Sequence, residues 1–190
     1  MVSEQDIDGA LRQRQFLPYY QPKVSLVTGR IVGAEALMRW VREDGSVVLP
    51  GEFIPVAERS ARIKQLTRQM FPRLVDDLAR FGKGAGLTFS FNATAQDFED
   101  SRFPDLVLQS IADKHVDPEA IEVEITETMA LNAGEHFVRN VLSLCEAGIG
   151  LTMDDFGTGY STVDTLSRWP FTTIKLDQGL IGRMLGSERD

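Results

Sequence analysis

The chain has 190 residues, 43% of them hydrophobic and 25% charged, which is the range of a soluble protein with room for one large core and not two. A formal net charge of -8 argues against binding long nucleic acid by counterion release, since that mode needs clustered Lys and Arg. No stretch reaches the run of about 18 apolar residues that a membrane span requires, and the start MVSEQDIDGALRQRQ lacks the basic-then-apolar order of a secretion signal, so the expectation is a cytoplasmic protein with no membrane segment in this chain.

In chain order, Ser3 followed by Asp6 is an N-cap signature for a helix over Glu4–Arg14, and Pro18 then demands an extended path. Residues 1–15 read as an N-terminal helix or linker, with the main domain over 16–190. A strand is predicted over Tyr19–Leu26, a tight turn at Thr28-Gly29-Arg30, and a returning strand over Ile31–Met38, making an antiparallel hairpin. Helices follow over Gly51–Arg59 and Ala61–Arg80, the second ended by Gly82, Gly84 and Gly86. Strands over Leu87–Asn92, Ile121–Thr126, Gly150–Asp155 and Thr173–Leu176 then alternate with helices over Pro104–Lys114, Glu135–Ala147 and Ser161–Arg168. That alternation is the pattern of β and α units feeding a largely parallel sheet. Gly148 stands where a C-cap glycine is expected, Asp117-Pro118 marks a turn, and Cys145, in an apolar helical pattern, reads as a structural thiol.

Nearly every predicted strand finishes on a carboxylate or amide: Glu35 near the end of one, then Asn92, Glu124, and the pair Asp154 and Asp155. In an α/β barrel the C-terminal strand ends converge on one mouth, which would bring these groups together. Crowded carboxylates repel and are costly to bury unpaired, so cations are the natural resolution, and an all-oxygen donor set suits Mg²⁺ or Mn²⁺ over zinc. Two ions about 4 Å apart are a known device for attack of water on a phosphodiester. The bland alternative is that these are solvated charges at loop starts, and Lys175, at the end of the last strand, is equally a solvent-facing tip or a cation facing the acids; the residues alone leave both readings open. Asp155-Phe156-Gly157, Gly157-Thr158-Gly159 and Asn92-Ala93-Thr94 match fragments of kinase, dinucleotide-binding and glycosylation motifs, each without its required context.

At these same positions the sequence resembles the EAL domain family of cyclic di-GMP phosphodiesterases: YQPKV from Tyr20, GAEALMRW from Gly33, LPGEFIPVAE from Leu49, FNAT from Phe91, EITE from Glu124, DDFGTGYST from Asp154 and IKLD from Ile174. The resemblance implies a modified TIM-like (β/α)8 barrel with an antiparallel first strand and metal-dependent hydrolysis of cyclic di-GMP to linear pGpG. It assigns Glu35, Asn92, Glu124, Asp154 and Asp155 to two Mg²⁺ or Mn²⁺ ions, with inhibition by Ca²⁺. Lys175 would touch the attacking water or the phosphate, and Lys175, Asp155 and Glu35 would form the catalytic set. Gln21, Leu37 and Arg39 match substrate-gripping positions, and Glu127 matches the residue that ties down the loop Phe156–Thr162. A homodimer or a regulatory domain in the parent protein is also within the family's range. Family members continue through two further β/α units, with a glutamate in an AEGVE-like motif and a late glutamine that this sequence lacks. The expectation is therefore a barrel missing its last two units, with a non-hydrolysing cyclic di-GMP receptor or interaction domain as the alternative function.

Overall fold

In a computed structural model of the chain, residues 2–82, 86–157 and 167–186 are described. The sequence-predicted helix over Ser161–Arg168 lies mostly outside those residues, as does Gly84. Helix α1 (Glu4–Arg12) opens on the expected capping box, in which Ser3 and Asp6 satisfy each other's backbone N–H, and ends two residues earlier than predicted. The hairpin of β1 (Phe16–Val24) and β2 (Ile31–Val41) is antiparallel as expected, with Gln21 opposite Glu35 and Phe16 opposite Trp40. Its first strand, however, starts at Phe16 rather than Tyr19 and stops before Leu26, which is fully exposed. Pro18 does not delay the strand, because among the described residues β1 is an edge with a single neighbour. Every second N–H of an edge strand points away from that neighbour, and Pro18 and Pro22 share one parity.

A short β3 (Val47–Val48) pairs with the end of β2 and leads into α2 (Pro50–Arg59), which starts with Pro in its first turn. The helix predicted over Ala61–Arg80 is shorter: α3 runs Ile63–Asp77 and closes in a π-helical turn at Leu78–Gly82. Then come β4 (Thr88–Asn92), a one-turn α4 (Ala95–Phe98), α5 (Phe103–Lys114), β5 (Ile121–Thr126), α6 (Glu127–Leu131), α7 (Glu135–Glu146), β6 (Gly150–Phe156), β7 (Thr173–Leu176) and α8 (Gln178–Gly186). Gly148 caps α7 at φ +97°, a left-handed conformation that explains the glycine there.

The sheet order is β1-β2-β4-β5-β6-β7, parallel from β2 onward, with β1 and β7 as the edges among the described residues. Strand alternation divides its two faces. Ala34, Ala36, Phe89, Phe91, Ile121, Val123, Ile125 and Leu151 pack outward against Phe71, Leu74, Val107, Val141 and Leu144 of α3, α5 and α7. The opposite face carries Glu35, Ser90, Asn92, Glu124, Thr152 and Asp154. A second cluster joins Ile7 and Ala10 of α1 to Phe16, Trp40, Phe53 and Leu66. Cys145 is only half-buried, at the margin of the main core. No helix among the described residues is long and apolar enough to cross a membrane.

Candidate metal centre

Parallel pairing sets Glu35 beside Ser90, Asn92 beside Glu124 and Thr126 beside Asp154, so the inner-face residues of β2, β4, β5 and β6 climb in steps toward the C-terminal strand ends. Side chains then finish the convergence. Glu35, Glu124 and Asp154 each offer a carboxylate oxygen within 4.8 Å of the other two. Lys175 on β7 reaches into the same point: its Nζ donates to Glu124 Oε2 at 2.7 Å and Glu35 Oε2 at 2.9 Å, and stands 3.3 Å from Asp154 Oδ2. The lysine is therefore no solvated tip.

One ammonium against three carboxylates leaves two negative charges uncompensated, and the Glu124 side chain has 0% exposure. Burial pushes the Glu124 carboxyl up, against the pull of the Lys175 ammonium. Burial alone would depress Lys175, but its hydrogen bonds to Glu124 and Glu35 outweigh that and hold the ammonium above its ordinary range. Glu124 Oε1 is buried with no hydrogen-bond partner among the described residues. An excess of two charges, an orphaned buried carboxylate oxygen and a donor set made only of oxygens fit a divalent cation.

The remaining sequence-predicted residues surround this set. Asn92 is exposed, and its carboxamide Nδ2 donates to Glu35 Oε1 at 2.9 Å, so the carboxamide lies against one of the three acids. Asp155 is exposed and lies outside the three-acid set. It sits in a bulge where Asp154 and Asp155 together oppose Lys175, between the pairs Met153–Ile174 and Phe156–Leu176. The Asp155 backbone is left-handed at φ +56° and its N–H donates to Asp154 Oδ1 at 2.9 Å, which holds the neighbouring carboxylate. Burial, then the charges of Asp154 and Asp177, push the Asp155 carboxyl up.

Gln21, Leu37 and Arg39 line up on the same face as Glu35, the last two at the alternate positions beyond it and Gln21 across the hairpin. Arg39 is half-buried with Nη1 on the Met38 carbonyl at 2.9 Å. Glu127, the first residue of α6, is 2% exposed with neither carboxylate oxygen partnered among the described residues. Most of its family-implied loop lies outside those residues. Sequence reasoning missed Ser90 and Thr152, buried hydroxyls beneath the acids, and Asp177, whose carboxylate caps α8 through Leu180 N–H at 3.1 Å. Alternation along β4 and β6 was the signal for the first two. A groove of about 660 Å³ between α3 and α5, lined in part by Arg68, Pro72 and Leu106, is on the outer helical side and shares no residue with the acids.

An α/β sheet of parallel strands behind an antiparallel first strand is the framework of a modified TIM barrel, and here it carries an acidic cluster that could hold a metal. The EAL domain model matches residues 4–190, and this chain belongs to that family. It is 36% identical over 171 residues to the cyclic di-GMP phosphodiesterase PA2567 of Pseudomonas aeruginosa, covering 90% of this chain and 29% of that protein. It is 32% identical over 185 residues to the cyclic di-GMP phosphodiesterase RocR of the same organism, covering 97% of this chain and 47% of RocR. The chain thus spans less than half the length of either relative. A solved PaMucR phosphodiesterase in complex with c-di-GMP superposes with a TM-score of 0.88 at 30% identity, over 96% of this chain and 75% of that one.

Proposed function

We propose that this domain hydrolyses cyclic di-GMP to linear pGpG using Mg²⁺ or Mn²⁺. The observation that carries the reading is the convergence of Glu35, Glu124 and Asp154 on Lys175, in a family whose named relatives include cyclic di-GMP phosphodiesterases. Glu35, Glu124 and Asp154 would hold one cation together with Asn92, and Asp155 would serve a second. When bound, such ions supply Lewis-acid charge to the phosphate and acidify water.

The chain's own groups do the rest. Arg39 offers a planar fork to phosphate oxygens, Gln21 and Leu37 hold the nucleotide against the inner face, and Lys175 places an ammonium where charge builds on the phosphate. Water oxygen bonds to phosphorus as the bond to the 3′ oxygen breaks; the 3′ hydroxyl leaves and one proton is released. Glu127 steadies the acids from behind.

Chromatography of cyclic di-GMP incubated with the full-length protein tests this reading. Conversion to pGpG is expected with Mg²⁺ or Mn²⁺ and not with Ca²⁺, whose larger and looser oxygen shell holds substrate without the in-line geometry. Glu35→Ala or Asp154→Ala should lower turnover on the order of 100-fold or more. Binding of the dinucleotide without turnover under any cation would make the domain a receptor and overturn the hydrolase reading.

A further inference from the structure

Beneath the acidic cluster lie Ser90 Oγ, Thr152 Oγ1 and Glu124 Oε1, all buried and none with a hydrogen-bond partner among the described residues. Ser90 and Thr152 are 0% exposed. The three belong to adjacent strands and to one face. Glu124 pairs with Thr152 across β5 and β6, and Ser90 precedes by two positions Asn92, the β4 partner of Glu124.

Dry hydroxyls here would cost free energy with no return, since valine has the shape of threonine and alanine would serve at Ser90. Polar atoms grouped in this way are where internal waters with two to four partners sit. The other oxygen, Glu124 Oε2, is held by Lys175 at 2.7 Å. A cation arriving at the cluster competes with that ammonium, and the carboxylate torsion of a glutamate is broad and easily turned. Glu124 then needs a second anchor on Oε1.

We propose that Ser90 and Thr152 hold one internal water against Glu124 Oε1, and that this hydroxyl shelf keeps Oε2 aimed at the metal position. Ser90 and Thr152 are positioning residues in this arrangement and touch neither cation nor substrate. The proposal rests on the metal reading given above.

Mn²⁺ affinity, measured by electron paramagnetic resonance on the full-length protein without nucleotide, tests it alongside thermal unfolding in EDTA. Thr152→Val and Ser90→Ala should each weaken Mn²⁺ binding by roughly 10-fold or more, as loss of an outer partner of a ligand does. Thr152→Ser, which keeps the hydroxyl, should stay near wild type. Unfolding in EDTA should be unchanged or shifted upward for Thr152→Val, separating loss of aim from loss of fold. Wild-type affinity in both Thr152→Val and Ser90→Ala would overturn the shelf while leaving the metal site standing. A wild-type protein that binds no Mn²⁺ would overturn the metal reading and the shelf with it. Should Thr152→Val fail to fold, Ser90→Ala decides alone: weakened binding supports the shelf, and unchanged binding overturns it.

Discussion

Lys175 gathers the charge of the site. It bonds two carboxylates and stands close to a third, so without metal it is their only cationic partner among the described residues, and with metal it becomes a competitor for the same oxygens. Lys175→Met should therefore destabilise the metal-free protein by about 1–3 kcal/mol, less than breaking a fully buried pair because the lysine is 32% exposed. The same variant should gain more stability than wild type on adding Mn²⁺, since a cation then takes over the vacated charge. Paired thermal melts with EDTA and with Mn²⁺ check both effects, and an equal metal-induced shift in the two proteins would remove Lys175 from the charge balance. The acids themselves were legible in the sequence as polar residues on otherwise apolar strands, although only Asn92 of the set ends its strand, and Glu35, Glu124 and Asp154 lie inside β2, β5 and β6. What joins them was not: a lysine at a strand tip reads the same whether it faces solvent or three acids, and only the stagger of six strands decides.

Local backbone chemistry explains several elements and two further outcomes. The bulge at Asp154-Asp155 depends on a left-handed residue, φ +56°, that Asp and Asn adopt more readily than branched side chains. Asp155→Asn should keep the fold and remove only the carboxylate, whereas Asp155→Val should lower stability by about 1 kcal/mol or more through strain. Urea unfolding of both variants separates the two contributions. In α4, Asp97 accepts from Thr94 N at 2.9 Å, Thr94 Oγ1 at 2.8 Å and Thr67 Oγ1 at 3.2 Å while 2% exposed. Burial nevertheless outweighs these donors and raises its carboxyl above 3.8. The folded state thus binds a proton more tightly than the unfolded chain, so this contribution is fully present below the unfolded pKa and is lost as pH rises through the raised one. Asp97→Asn should flatten that part of the stability profile, just above the ordinary carboxylate range, and an unchanged profile would show that Asp97 ionises as if exposed. Long helices and the hairpin were readable from period and turn residues. Short pieces such as α4 and α6 were not, because one turn carries too few apolar positions to show a period, and the π-helical close of α3 has no residue signature that distinguishes it from more α-helix.

Across the whole molecule, two apolar clusters share the sheet, with Met38 packed against both. Residues 1–15, read from the sequence as an N-terminal helix or linker, carry α1, whose Ile7 and Ala10 belong to the second cluster. Ile7 is 0% exposed, and Phe16, Trp40 and Phe53 stack around one another with ring centroids 5.3–6.2 Å apart. Polar ties reinforce the contact. Arg62, just before α3, donates to Asp8 at 2.6 and 2.9 Å and to Glu4 at 2.8 Å; Gln69 donates to the Leu11 carbonyl at 2.8 Å; Arg73 reaches the carbonyls of Arg14 and Phe16. These ties hold α1 in register, while apolar burial supplies most of the free energy, because the ion pairs are open to water. Ile7→Ala should cost about 2–5 kcal/mol, as truncation of a buried isoleucine does. Deleting residues 1–15 should cost more, by uncovering Phe16, Trp40 and Phe53 together. The acidic cluster is built from strands of the other face and should keep its Mn²⁺ affinity in Ile7→Ala under conditions where the variant is folded. Urea unfolding followed by tryptophan fluorescence reports on Trp40 within this cluster and on Trp169 beside the main core. An unchanged midpoint after the deletion would make α1 an appendage, whereas a lowered, single transition would make it part of one cooperative domain.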